Sequence, residues 1–311
     1  MSNALDHIVL LLSPHDFQNV SPWLSNNFNI IEGGTHSKGT SRNKLIVFKD
    51  GTYLELFSWI DPQPDGVPPH ADFPSWADKP EGYIIDWALT GDDARANYDG
   101  IMQRLDKWRA ENQSGAERID ITYNEPASGG RKRKDGQELQ WVTTRPRVQQ
   151  QQPGNTMPRL EVPFFCHDVT ARNLRVPFDN ESITTHPCGA IGVSHMDLDV
   201  PEEQYEQYVK LYLAILGLDE KETTSDRPPD PENHRCFNIA VPAHDLTGEK
   251  PHHFSLNIFR ESERRDTSNS QYFKNSGLGA RSLGFRTEHD DRKGQHLGGL
   301  DDGLAWSFSL T

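Results

Sequence analysis

The 311-residue sequence has little positive charge, since 32 Lys and Arg residues stand against 46 Asp and Glu residues for a formal net charge of -14. Nucleic-acid binding requires a basic surface that displaces counterions from phosphates. We therefore expect no nucleic-acid partner. No apolar run approaches the length that spans a membrane, and the N-terminus lacks the basic and then apolar pattern of a secretory signal. These absences predict a cytoplasmic protein that does not bind membranes.

Cysteine is also scarce, and several well-known catalytic motifs are missing. The three cysteines, Cys166, Cys188 and Cys236, have unrelated spacings and no paired-cysteine zinc signature. The sequence contains no nucleophile elbow, no dinucleotide-binding fingerprint and no kinase signature. The glycine-rich segment 33–44 does not end in Gly-Lys-Ser/Thr, and no helix pattern follows it. Covalent serine catalysis and nucleotide chemistry therefore have no support.

A pattern of one strand, one helix and further strands recurs along the chain. Its copies begin at the apolar segments 5–12, 83–89 and 190–200, and each segment is followed by residues at helical spacing. In the third copy, the later strands are predicted at 237–241, 254–259 and 280–287. The pattern predicts an α+β fold of repeated β-α-β-β-β modules with curved mixed sheets.

The spacing of these copies also predicts the domain organisation. Modules at 4–60 and 82–170 form one paired unit within residues 1–170, and residues 171–311 form a third module-like unit with C-terminal strands. The basic segment Gly129-Gly-Arg-Lys-Arg-Lys-Asp-Gly136 lies between two predicted strands. It is interpreted as a solvated hairpin tip, with a contact site for an anion or a partner as the alternative.

Two predicted strands carry a polar residue within an apolar row. Side chains alternate along a strand, so Glu55 in the segment 53–57 shares its face with two aromatic residues, and His7 shares its face with Leu5 and other aliphatic residues. A buried carboxylate is costly unless it meets a cation, a metal or strong donors. The alternative is an edge strand from which Glu55 reaches water. The occurrence of both residues in one module favours a shared bound partner.

The sequence resembles the vicinal oxygen chelate superfamily, and more narrowly its glyoxalase-like branch. The features that carry the resemblance are Leu5-Asp-His7, Gly33-Gly-Thr-His36, Asn43, Gly51-Thr-Tyr-Leu-Glu-Leu56 and, in the second module, Pro163-Phe-Phe-Cys-His167. The resemblance implies that two modules pair to form a cleft, and that the first and last strands of each module supply metal ligands. Dimerisation or domain swapping is common for paired modules of this kind.

By position, the resemblance implies a divalent metal bound by His7, Glu55 and His167, with open coordination sites for a substrate. Asp86, on the first strand of the second module, is an alternative ligand, as is His195, whose flanking pattern echoes that of His7. The metal is left open, because iron suits oxygen chemistry whereas zinc, nickel or manganese suits proton transfer.

The resemblance also implies that His36 and Asn43 face the cleft and that Glu55, His36 and Asn43 take part in catalysis. His36 is a candidate general base or substrate-binding group. The alternative is a loop histidine bonded to its own backbone.

These observations predict a metal-dependent enzyme that acts on a small oxygenated organic substrate by isomerase, lyase or ring-cleaving dioxygenase chemistry. One alternative is a metal-free protein that binds or sequesters a small molecule in the same cleft. Another enzyme hypothesis uses His36 and Glu55 as an acid–base pair without metal.

Overall fold

The computed structural model describes residues 3–111, 121–133, 135–148, 162–219, 234–243, 252–260, 279–299 and 307–311. The helices are α1 Pro14–Gln18, α2 Pro22–Asn27, α3 Ala94–Glu111, α4 Arg172–Arg175, α5 Glu181–Thr184 and α6 Tyr205–Leu216. The strands are β1 Ala4–Leu11, β2 Ile31–His36, β3 Ser41–Val47, β4 Tyr53–Trp59, β5 Tyr83–Thr90, β6 Ile121–Tyr123, β7 Ala127–Lys132, β8 Glu138–Thr144, β9 Pro146–Val148, β10 Phe164–Asp168, β11 Ala190–Val200, β12 His234–Ala240, β13 His253–Arg260, β14 Gly279–Thr287, β15 His296–Gly299 and β16 Ser307–Leu310.

Eight strands of the N-terminal half close into a ring. Their order is β1-β4-β3-β2-β7-β8-β10-β5, and β5 pairs back onto β1. The first four strands of this order come from residues 4–59 and the other four from residues 83–168, so each module contributes half of the ring. Within each module the first and last strands are parallel neighbours, β1 with β4 and β5 with β10. The predicted α+β fold with curved mixed sheets is confirmed.

The C-terminal half repeats the pairing pattern of the ring. Strand β11 is parallel to β13 and antiparallel to β14, as β1 is parallel to β4 and antiparallel to β5. Strand β14 is in turn parallel to β16, as β5 is to β10. A strand is present at the predicted segment 280–287, and by this pairing it occupies the place that β5 has in the ring. Strand order depends on pairing between distant segments, which local periodicity does not encode.

A β-bulge in β1 changes which residues share a face. The register between β1 and β5 shifts between Leu5 and His7, so Asp6 is the extra residue. Leu5 packs in the main core with Ile8, whereas Val9 packs on the opposite side of the sheet. The predicted row that placed Leu5 beside His7 is therefore wrong, and the bulge is the reason.

Two amphipathic helices cover the outer face of the sheet. Helix α3 buries Ile101, Leu105 and Trp108, and α6 buries its apolar face at the same side of the core. Full burial of each such side chain contributes about 1.5–3 kcal/mol. Helix α6 ends at Gly217, whose φ of 71° places it in the left-handed region that glycine tolerates. No helix in the described ranges is both long enough and apolar enough to span a membrane.

Candidate active site

A cleft inside the eight-stranded ring collects polar side chains from both modules. Its polar lining includes His7, His36, Asn43, Glu55, Arg131 and Arg145. Aromatic side chains, Tyr53, Phe73, Trp76, Trp141 and Phe164, form much of the remaining wall. The enclosed cavity volume is about 40 Å³, and the space around it opens to solvent.

Glu55 lies at the centre of the polar lining and is only 5% exposed. The Asn43 Nδ2 atom donates a hydrogen bond of 2.6 Å to Glu55 Oε1. The Nε2 atom of His7 is 3.4 Å from Glu55 Oε2, and the Nε2 atom of His36 is 3.8 Å from Oε1. Strand β4 lies between β1 and β3, so the alternative in which Glu55 reaches water from an edge strand is wrong. The structure brings together four of the predicted site residues.

His7 is oriented by its neighbour in the sequence. The bulge lets the Asp6 carboxylate reach the His7 ring, with 2.7 Å between Asp6 Oδ2 and His7 Nδ1. An ionised carboxylate only accepts hydrogen bonds, so Nδ1 carries the proton of this contact. The His7 ring also stacks on Tyr53 with 4.6 Å between ring centroids. Nε2 of His7 is therefore held toward Glu55.

The Asp6 carboxylate is itself fixed by two arginines of α4. It accepts hydrogen bonds of 2.6 Å from Arg172 and of 3.0 and 3.1 Å from Arg175. Burial opposes ionisation of Asp6, but Arg175 and Arg172 outweigh it and hold the pKa of Asp6 well below its ordinary value. Sequence analysis missed Asp6, because alternation along the strand assigned it to the other face. The bulge has no signal in the residue pattern.

A second chain of hydrogen bonds orients His36. The Ser41 hydroxyl donates to Asp72 over 3.1 Å and lies 2.9 Å from His36 Nδ1, so Nδ1 donates its proton to Ser41 Oγ. This tautomer leaves Nε2 unprotonated on the side of Glu55. Burial lowers the pKa of His36, with partial opposition from Glu55. The alternative of a loop histidine bonded to its own backbone does not hold, since the partner is a side chain.

The structure places His167 on the opposite face of β10 from the cleft. Phe164 and Cys166 line the cleft, whereas His167 Nδ1 is 2.8 Å from the Gly91 carbonyl oxygen and Nε2 is 3.4 Å from the Asn97 side chain. The predicted set of His7, Glu55 and His167 therefore does not converge. Alternation along β10 points the preceding residue, Cys166, into the cleft instead. Burial raises the pKa of Cys166 to about 12, so its thiol stays protonated at neutral pH.

The alternative ligand Asp86 does not reach Glu55 either. Asp86 lies opposite Val9 on β5 and accepts hydrogen bonds from Trp76 Nε1 and from the Trp87 backbone N–H. Arg145 Nη1 is 3.8 Å from its carboxylate. Burial raises the pKa of Asp86, and Arg145 partly opposes this.

His195, the other alternative ligand, lies in the C-terminal half. It pairs with Ser255 as His7 pairs with Tyr53, so its predicted equivalence to His7 matches the strand register. It is not part of the cleft, because β13 and β12 separate β11 from β1 in the sheet. The structure therefore brings neither alternative ligand to Glu55.

The donor set does not fit a metal held by three protein side chains. Within the described ranges no three His, Cys, Asp or Glu side chains converge closely enough to hold a metal ion. His7 and Glu55 offer two donors, and the cationic Arg131 and Arg145 line the same cleft. In a partly dry site the positive charges of these arginines repel a metal cation.

The arginines of the cleft are the site residues that sequence analysis missed most clearly. Arg131 belongs to the segment 129–136 that was predicted as a solvated tip, yet its side chain is buried and donates a hydrogen bond to the Gly33 carbonyl oxygen. Arg145 lies over the rings of Phe73, Trp76 and Phe164. The tip prediction is wrong for Arg131, because β7 pairs with β2 and turns this residue inward.

Comparison with known proteins agrees with this fold. The family model described as a glyoxalase-like domain matches residues 5–216. A hypothetical protein from Staphylococcus aureus has a similar structure at 12% identity, with 99% of this chain and 100% of that chain covered and a TM-score of 0.58. A triple mutant of 4-hydroxymandelate synthase from Streptomyces coelicolor is more distant, at 12% identity, coverage of 93% and 72%, and a TM-score of 0.47.

A third solved structure, BphC, a halotolerant catechol dioxygenase, has 10% identity, coverage of 100% of this chain and 87% of that chain, and a TM-score of 0.41. No curated protein matches the sequence. At 12% identity the Staphylococcus aureus structure indicates the fold alone, whereas the family model spans more than half of the chain. The chain therefore belongs to the glyoxalase-like domain family.

Proposed function

We propose that this chain is an enzyme that transfers a proton on a small oxygenated organic substrate bound in the cleft. The observation that carries the proposal is the contact between His7 Nε2 and Glu55 Oε2 at 3.4 Å. His7 Nδ1 donates to Asp6, so the neutral ring would turn a lone pair toward a carboxylate oxygen. Two acceptors tolerate this distance when a positively charged species, such as a proton, is shared between them.

His36 supplies the base in this mechanism. Its Nδ1–H is engaged with Ser41, which leaves the lone pair of Nε2 free to take a proton from a carbon next to a substrate carbonyl. The imidazolium that forms faces Glu55 Oε1 at 3.8 Å, and the carboxylate stabilises it. Asn43 holds that carboxylate in place. Isomerase and lyase reactions share this step, and their positioned bases contribute about 10²–10⁴-fold in rate.

A metal-dependent enzyme is the second candidate, and one observation favours it. A carboxylate that fixes the far nitrogen of a histidine, as Asp6 fixes His7, is the support that metal-ligating histidines usually have. His7 and Glu55 would hold an iron, zinc, manganese or nickel ion as two protein ligands. Such an ion supplies Lewis-acid stabilisation of an oxyanion on the substrate.

One experiment separates the two candidates. The protein is purified without a metal-binding tag, its metal content is measured before and after chelation, and exchange of the α-protons of pyruvate and hydroxyacetone into D₂O is followed by NMR. We expect exchange by the chelated protein and a loss of about 100-fold or more in Glu55→Gln and His36→Asn. The exposed His15, replaced by Asn, is the matched control and keeps wild-type exchange.

Two outcomes contradict the acid–base proposal. Unchanged exchange in Glu55→Gln would remove the carboxylate from the reaction. Exchange that appears only with stoichiometric metal, together with loss of that metal in Glu55→Gln, would instead establish the metal-dependent candidate. A chelated protein that binds these compounds without exchanging their protons would favour the binding or sequestering function.

A further inference from the structure

Arg131 brings a buried cation to the cleft without a carboxylate partner. It is 7% exposed, and among the described residues its side chain donates one hydrogen bond, to the Gly33 carbonyl oxygen. A guanidinium has five N–H donors, so most of them are unused by the protein. Across the described part of the chain, no carboxylate lies within 4.0 Å of its nitrogens. Burial lowers the pKa of Arg131, and Glu55 is among the groups that oppose this.

Arg145, which follows β8 in the same module, is a second arginine that lines the cleft. Its guanidinium lies 4.3 Å from the centroid of Phe164, 4.9 Å from that of Trp76 and 5.0 Å from that of Phe73. Its ion-pair partner is Asp86, at 3.8 Å, which is too long for a hydrogen bond. The side chain is 23% exposed, so its edge is accessible from the cleft. These contacts with three ring faces favour a positive charge at this position of the cleft wall.

The third arginine of the cleft shows the contrast. Arg175 donates to both Asp6 and Asp168 and to the Tyr53 hydroxyl, so its charge is fully compensated by the protein. Arg131 and Arg145 both feel the charge of Glu55, and Arg145 also faces Asp86 at 3.8 Å, but neither forms a hydrogen bond to a carboxylate of the described residues. Desolvated charges without close partners are costly, and a bound anion relieves this cost.

We propose that Arg131 and Arg145 bind a carboxylate of the substrate, which makes the substrate class a small organic acid. Planar guanidinium groups match a carboxylate with paired hydrogen bonds, and the aromatic wall beside Arg145 accommodates the apolar part of the acid. The overall charge of -14 repels anions at long range, so selectivity for an acid depends on this local pair. The inference rests on the proposed function in one respect: the acid that binds here is the molecule on which Glu55 and His36 act.

The test uses chelated full-length protein, so that its result does not depend on metal or on turnover. Binding of acetate and benzoate is measured by calorimetry and by quenching of tryptophan fluorescence, each against the uncharged amide of the same shape, acetamide or benzamide. We expect at least about 10-fold tighter binding of a carboxylate than of its amide. Arg145→Gln and Arg131→Gln should each remove that preference, and Arg145→Lys should restore part of it.

The control is Arg147→Gln, which removes an exposed arginine two positions along the chain from Arg145. Circular dichroism and urea unfolding identify any variant that fails to fold. If Arg145→Gln does not fold, the carboxylate preference of Arg145→Lys is compared with that of the wild type instead. Equal binding of acid and amide, no measurable binding of either acid, or equal effects of Arg145→Gln and Arg147→Gln would overturn the inference. The Glu55→Gln variant distinguishes this inference from the proposed function. If it still binds carboxylates but no longer exchanges protons, carboxylate binding by the two arginines is independent of the proposed reaction.

Discussion

His7 and Glu55 face each other across two parallel strands, with 3.4 Å between Nε2 and Oε2, although Val9 is the register partner of Glu55. The contact is diagonal, because His7 stacks on Tyr53, its own register partner, and leans toward the next side chain on that face. Both groups are buried, and each is held from behind, His7 by Asp6 and Glu55 by Asn43. The orientation of His7 and Glu55 therefore depends on Asp6 and Asn43.

The first prediction concerns Asp6, which links His7 to α4. Asp6→Asn removes the buried negative charge that Arg172 and Arg175 share and leaves one amide oxygen where two carboxylate oxygens accepted from both arginines and from His7 Nδ1. We expect a loss of about 3–5 kcal/mol in the free energy of unfolding, measured with urea. Asp106→Asn is the matched control, since it breaks an exposed pair with Arg109 and should cost no more than about 1 kcal/mol. Equal costs in the two variants would contradict the prediction.

The second prediction concerns Gly33, which packs against Asn43. A Cβ atom on Gly33 would lie 2.0 Å from Asn43 Oδ1. Gly33→Ala should therefore displace Asn43 from Glu55 and destabilise the fold by about 1–3 kcal/mol. Gly100→Ala in the middle of α3 has more room and a better helix former, so it should stabilise by about 0.5–1 kcal/mol. Thermal unfolding of both variants checks the difference in sign, and a neutral Gly33→Ala would refute it.

The third prediction is a loss of stability in acid that originates at His186. Its Nδ1 accepts from the Asn29 N–H and its Nε2 donates to the Val47 carbonyl oxygen, so the ring is buried in its neutral form. Burial lowers the pKa of His186 from 6.5 to about 4. As the pH falls, the unfolded chain binds a proton at His186 at a higher pH than the folded protein does. The contribution of the neutral His186 ring to the free energy of unfolding is therefore complete above about pH 6.5 and disappears as the pH falls to about 4.

The size of this effect is about 3 kcal/mol. Urea unfolding from pH 4 to pH 7.5 should show the wild type losing stability relative to His186→Gln as the pH falls, because the variant cannot be protonated. A constant difference between the two proteins across this range would contradict the assignment.

The fourth prediction has the opposite sign and concerns Asp50. Its Oδ2 atom is buried without a hydrogen bond, and Arg286 Nη1 is 3.7 Å away. Burial raises the pKa of Asp50 from 3.8 to about 6, with Thr52 partly opposing this. The folded protein holds the proton more tightly, so Asp50 lowers stability progressively as the pH rises from about 3.8 to about 6, by about 3 kcal/mol in total. Asp50→Asn should abolish this component, and an unchanged pH profile in the variant would refute it.

Part of the site could be predicted from the sequence because strand alternation leaves a clear trace there. His7 and Glu55 stand out as polar residues in apolar strands, and the structure brings them together with His36 and Asn43. The prediction that His167 faces the cleft is wrong by one position, because its neighbour Cys166 lines the cleft instead. In β10 both faces are apolar or weakly polar, so the sequence does not reveal which face Cys166 or His167 occupies.

The rest of the site depends on geometry that local patterns do not contain. Asp6 reaches His7 through a bulge, and Arg175 reaches Asp6 from a short helix that follows the second module. Arg145 lies just after β8 and enters the cleft by stacking on rings from another segment. The sequence signal at Arg131 is its place in a basic segment, and this composition predicts a solvent-exposed side chain. Tertiary packing decided each of these positions.

The pairing of β11 with β13 and β14 repeats that of β1 with β4 and β5, so the central strand arrangement around Glu55 occurs again in the C-terminal half. At the position equivalent to Glu55 the later copy has Asn257, whose amide donates to Asp197. An amide cannot shuttle a proton as a carboxylate does. The later copy therefore shares the strand pairing but holds no carboxylate at this position, which assigns the proposed proton transfer to the N-terminal copy.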